Sequence, residues 1–221
     1  MRLAFLGLLA CGQAFAQSPF VQLHWEASDD GIWTRSQMTT SQQNVHIRLV
    51  AVWGGTDAFG FGGTNLDAVI DSADMGDIAT NLRRPAPFNV AVGNMTAIRQ
   101  GNLIKLDNEL DLDAPGAGQL WIPISQSNGV FGVPIDPVNP GVIFQFDLML
   151  AAVGGTREIY SVHQLRSGAN AMLWTQAGIG LPVLAPVFGI DVTYVPGPNC
   201  VALLASTTLL ARRKRVGVSR E

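Results

Sequence analysis

Between residues 17 and 194, apolar and polar positions alternate with a period of two in one stretch after another. Over residues 44–53, Val45, Ile47, Leu49 and Ala51 fall on one side, and His46, Arg48 and Val50 on the other. That pattern predicts a half-buried strand, closed by Gly54-Gly55. Phe59-Gly60-Phe61-Gly62-Gly63 opens another strand, with Leu66, Ala68 and Ile70 alternating beyond it. Residues 88–98 and 103–110 read as further strands. The strongest strand candidate is 142–153, where Ile143, Phe144, Phe146, Leu148 and Leu150 precede Gly154-Gly155. Residues 158–165 are predicted as its hairpin partner, and 187–195 as the closing strand. Only 73–82 reads as a helix, from the spacing of Met75, Ile78 and Leu82. Many short strands with Gly and Pro turns predict an all-β fold, a single β-sandwich of jelly-roll or Ig-like form with at most one short helix. With no internal repeat and no low-complexity linker, the strands belong to one domain, 17–194.

The two ends follow a different pattern. Arg2 supplies a positive start, 3–10 is a short apolar run, and Ala14-Phe15-Ala16 places small residues before a cleavage point. This order is that of a secretory signal peptide, residues 1–16, cut between Ala16 and Gln17. A lipoprotein signal ending at Cys11 is the alternative. At the other end, Val195-Pro196-Gly197-Pro198-Asn199 cannot continue a strand, because proline interrupts the ladder. An apolar stretch follows over 200–211, then Arg212-Arg213-Lys214-Arg215. Apolar residues followed by positive charge form a stop-transfer pattern. The stretch is short beside the ~20 residues a membrane helix needs, and Ser206, Thr207 and Thr208 weaken it further. It suits a transient signal better than a permanent anchor.

The order Pro-x-Pro, apolar helix, Arg-rich terminus over 195–221 resembles the PEP-CTERM sorting tails processed by exosortases. The matching residues are Val195, Pro196, Gly197 and Pro198, then Arg212 and Arg213; Gly197 stands where the family usually has Glu. The resemblance implies an exosortase-like processing enzyme as a partner, beside the Sec translocon and signal peptidase that the N-terminus calls for. Around 84–88 and 114–118 the middle is loosely similar to uncharacterised planctomycete-type ectodomains, which carries no catalytic residue across.

Composition narrows the function classes. Hydrophobic residues make up 48% and charged residues 14%, enough apolar material for a real core. A net charge of −3, with the clustered basic residues confined to the C-terminus, argues against a nucleic-acid footprint. The two cysteines, Cys11 and Cys200, lie in the terminal segments, so the domain between them has no disulfide and no zinc-type spacing. Asp107, Glu109, Asp111 and Asp113 alternate and would face one way on an extended chain. They read first as a solvated strand edge, and second as weak calcium candidates, although the spacing is not that of an EF-hand loop. Asp71, Asp74 and Asp77 would share one face of the predicted helix. His24, His46 and His163 sit in strand contexts, without a nucleophile elbow or an HExxH. Trp25, Trp33, Trp53, Trp121 and Trp174 are expected mainly in the core.

The reading that follows is an exported, non-catalytic envelope or matrix protein, without a cofactor. Its location is the cell surface or extracellular matrix, with transient or permanent inner-membrane anchoring by the tail, and an envelope polysaccharide is a further partner. The alternative is a secreted carbohydrate-binding or glycan-active β-sandwich, which would need an exposed tryptophan row or paired carboxylates in a cleft.

Overall fold

The computed structural model describes residues 17–85, 96–107, 120–122, 139–163 and 169–197, with the backbone alone for Asn65, Asp67, Asp107, 120–122 and His163. Every regular element in these residues is a strand. In chain order they are β1 (Phe20–Ser28), β2 (Thr34–Thr40), β3 (Asn44–Gly54), β4 (Ala58–Asp71), β5 (Ile78–Arg83), β6 (Thr96–Gln100) and β7 (Leu103–Asp107). There follow β8 (Leu120–Ile122), β9 (Gly141–Met149), β10 (Gly155–His163), β11 (Ala171–Thr175), β12 (Gly180–Val183), β13 (Val187–Phe188) and β14 (Ile190–Tyr194).

They form a sandwich. One sheet runs β5-β9-β3-β1, and the other is built on the long strand β4, with β11 and β12 beyond one part of it and β10 and β14 beyond another. Two segments tie the sheets along a shared edge. β2 pairs with β1 through Thr34 and Arg35, then with β14 from Ser36 onward. Ser36 makes the change of sheet with φ of 76°, a conformation that costs a non-glycine residue. Likewise β13 pairs with β1 and β14 with β10, so the change falls on Gly189.

The inward faces are those that alternation marked. Val45, Ile47, Leu49 and Ala51 of β3 and Leu66, Ala68 and Ile70 of β4 are all fully buried. Full burial of a leucine or isoleucine stabilises by about 1.5–3 kcal/mol. Trp25 of β1 reaches across the layer: its indole Nε1 donates to Ser161 Oγ of β10 at 2.9 Å. Its ring meets Phe144 and Phe146 of β9 edge-on at 6.2 and 6.1 Å.

Two expectations are corrected. Residues 73–82 are not a helix. Asp74 to Asp77 forms a turn, in which Gly76 N donates to Asp74 Oδ1 at 3.0 Å and Asp74 N to Asp77 Oδ2 at 2.7 Å. Short acidic side chains that bond the nearby backbone compete with helix, and β5 then pairs along β9. Nor is 158–165 the hairpin partner of 142–153. β9 pairs with β3 and β5, β10 with β4 and β14, in opposite sheets. Each strand has its edges paired within its own sheet and its buried face packed against the other sheet. Gly154-Gly155 therefore marks an arch between sheets.

Candidate functional site

The chemistry of the described residues concentrates on the outward face of the β5-β9-β3-β1 sheet. Because β1, β3 and β9 bury alternate residues, Glu26, Arg48 and Gln145 all point outward, and strand register sets them side by side. Arg35 of β2 lies opposite Glu26 at one end of this row, and Arg83 of β5 opposite Gln145 at the other. Glu26 accepts from Arg35 Nε at 2.6 Å on one oxygen and from Arg48 Nε at 2.7 Å on the other. Its side chain is only 4% exposed, against 51% for Arg35 and 25% for Arg48. Arg48 also lies 3.9 Å over the Trp33 ring, a cation–π contact. With the Gln145 amide oxygen turned toward Arg83, it accepts from Arg83 Nε and, at 2.8 Å, from Nη2.

A second row runs Ser28, His46, Asp147 over the same strands. His46 Nδ1 stands 2.7 Å from Asp147 Oδ1, and Asn81 Nδ2 donates to Asp147 Oδ2 at 2.6 Å. Burial raises the Asp147 pKa, but the hydrogen bonds from Asn81 and His46, with the charges of His46 and Arg83, more than offset it and hold the pKa below the usual range. Ser, His and Asp in sequence on three adjacent strands look like a triad. Ser28, however, is fully buried, and its Oγ accepts from Gly31 N at 2.8 Å in the loop after β1. That hydroxyl is committed to the loop and closed to a substrate. His24, one row beyond Glu26 on β1, stacks on Phe188 at 4.8 Å, and burial and the nearby Arg35 lower its pKa against the opposing effect of Glu26.

Away from this face, Asp77 and Arg157 form a buried pair between the sheets. Asp77 accepts from Arg157 Nε at 2.8 Å and Nη2 at 2.9 Å, and from Ala151 N at 2.7 Å. Arg157 also donates to the carbonyls of Val153 and Gly155, so the pair fixes the arch. Burial alone would raise the Asp77 pKa; the Arg157 hydrogen bonds prevail, helped by the backbone donors Ala151 and Asp74, and keep it low. The pairing had no signal in the sequence, since 80 residues separate its members.

The sequence-marked residues are not brought into one site. Asp107 ends β7, opposite Thr96, while Glu109, Asp111 and Asp113 lie outside the described residues. Asp71, Asp74 and Asp77 are at a strand end and a turn, and among the described residues no group of acidic, His or Cys side chains is arranged to hold a metal. Trp25, Trp53 and Trp174 are core residues, as expected. Trp33 lies under Arg48; the side chains of Trp121 and His163 are not described. Ala16, Pro198, Arg212 and Arg213 lie outside the described residues, whereas Gln17, Val195, Pro196 and Gly197 lie within them. Gln17 O accepts from Thr56 N at 2.8 Å, and Val195 N donates to Thr40 O at 2.9 Å. A Cβ added at Gly197 would meet nothing within 4 Å. Among the described residues no helix is long and apolar enough to cross a membrane.

No protein-family model matches the chain, and no curated protein matches it. Among solved structures it is similar to the seventh ScaB type I cohesin of Pseudobacteroides cellulosolvens, at 10% identity and a TM-score of 0.46, over 80% of this chain and 94% of that one. It is also similar to a non-cellulosomal cohesin of Archaeoglobus fulgidus, at 8% identity and a TM-score of 0.38, over 83% and 96% of the two chains. The cohesin module of a Clostridium perfringens family 33 glycoside hydrolase gives 8% and 0.43, over 81% and 100%. Likeness at this level says nothing of this chain's ligand or partner.

Proposed function

We propose that the chain is an exported, non-catalytic protein of the cell envelope or extracellular matrix, sorted by an exosortase-like enzyme acting at its C-terminal tail. One observation carries the reading. Among the described residues, backbone hydrogen bonds hold the sandwich at Gln17, through Thr56, and at Val195, through Thr40, so the folded domain reaches the residues next to both junctions at which the sequence patterns call for processing. Gln17 is exposed and Gly197 stands clear of the described residues, as cleavage beside them would require. In such a protein Arg212–Arg215 resists translocation and pauses the chain in the membrane. The Pro-rich junction stays extended and open to the enzyme, because proline joins neither helix nor sheet.

Two variants separate the steps. Replacing Arg212, Arg213, Lys214 and Arg215 with Gln is expected to release protein into the medium with its tail intact. Replacing Pro196 and Pro198 with Ala is expected to leave a membrane-associated precursor. If both variants reach the surface with the wild-type mature mass, the sorting reading is wrong.

A further inference from the structure

The two outward faces of the sandwich carry opposite charge. On the β5-β9-β3-β1 face the carboxylates lie beneath the cations: Glu26 is 4% exposed and Asp147 15%, while Arg35, Arg48, Arg83 and His46 stand above them. On the opposite face the register does the reverse. Glu158 of β10 lies directly between Asp71 of β4 and Asp191 of β14, and Glu158 and Asp191 are exposed. Like charges placed directly opposite one another weaken a sheet. Lys105 of β7 occupies the neighbouring row, opposite Val69. Among the described residues, three guanidinium groups stand over two carboxylates on one side, an excess of positive charge, while three carboxylates adjoin one another on the other.

We propose that this domain associates with a second copy of itself, the arginine-bearing face of one copy stacking on the Asp71–Glu158–Asp191 face of the next. The two patches lie on opposite sides of one molecule, so the contact is head-to-tail and does not close on itself; it propagates into a row. Four strands at ~4.8 Å, each about six residues long, present roughly 400 Å². That is about half of what each partner buries in a stable complex, so the contact is weak and takes effect where copies are crowded. Being electrostatic, it is screened by salt. The proposal concerns the folded domain and does not depend on how the chain is exported or trimmed.

The test is sedimentation of the protein in its exported form. Wild type is expected to self-associate in ~50 mM salt, with association falling about tenfold or more by ~0.5 M. Arg83→Glu leaves the Glu26 pairs intact, and the double change Glu158→Lys with Asp191→Lys relieves repulsion rather than breaking a bond. Each of these proteins alone is expected to stay monomeric, and an equimolar mixture to associate again, since each supplies the face the other needs. Asp30→Lys with Asp57→Lys makes the same change in net charge in loops off both faces, and should leave association as in wild type. The proposal is overturned if wild type stays monomeric, if the loop variant dissociates equally, or if the mixture stays apart. It is also overturned if Arg83→Glu abolishes binding of a polyanionic glycan such as alginate while self-association is unchanged.

Discussion

Asp77 ties the turn before β5 to β10 in the opposite sheet through Arg157. It is buried with Arg157, and its carboxylate also caps the backbone at Ala151. Removing one member of a buried pair leaves the other charged and unsolvated, at a cost of about 3–5 kcal/mol. Asp77→Ala should therefore lower unfolding stability by about that amount in urea, while Asp74→Ala, which loses only a turn contact, should cost far less. The pH dependence has a definite sign. Asp77 and Asp147 both have folded pKa values below the ordinary carboxylate value of about 3.9. Their stabilisation is complete above that value and is lost as pH falls through the lower folded values. Urea unfolding from pH 5 down to about 2 should show the loss in wild type, and Asp77→Ala should flatten that limb.

At the scale of elements, the sheet-switching segments are the sensitive points. A Cβ at Gly189 would stand 2.8 Å from the Ile159 carbonyl oxygen, a backbone atom that cannot swing aside. Gly189→Ala is expected to cost about 1–3 kcal/mol through that clash, whereas Gly101→Ala meets open space and loses only by its φ of 62°. Thermal melts of the two variants give the comparison. The inward faces of β3, β4 and β9 were legible because burial of one face forces a period of two. Partnership was not, since Gly154-Gly155 serves a hairpin and an arch equally well. The Met75, Ile78 and Leu82 spacing misled for a related reason: Met75 and Ile78 are exposed, so their periodicity records no buried face. The candidate face was invisible beforehand, because Glu26, Arg48, Gln145 and Arg83 meet only through register across four strands.

For the whole molecule, the central claim is that a folded β-sandwich lies between two segments removed or read during export. The direct measurement is the intact mass of the exported protein, with its N- and C-terminal residues mapped by peptide mass spectrometry. The account predicts a chain that starts at Gln17, unmodified or cyclised, and ends near Pro196–Pro198, without the apolar stretch or Arg212–Arg215. A chain that starts at a lipidated Cys11, or that carries its basic terminus intact at the cell surface, would contradict it.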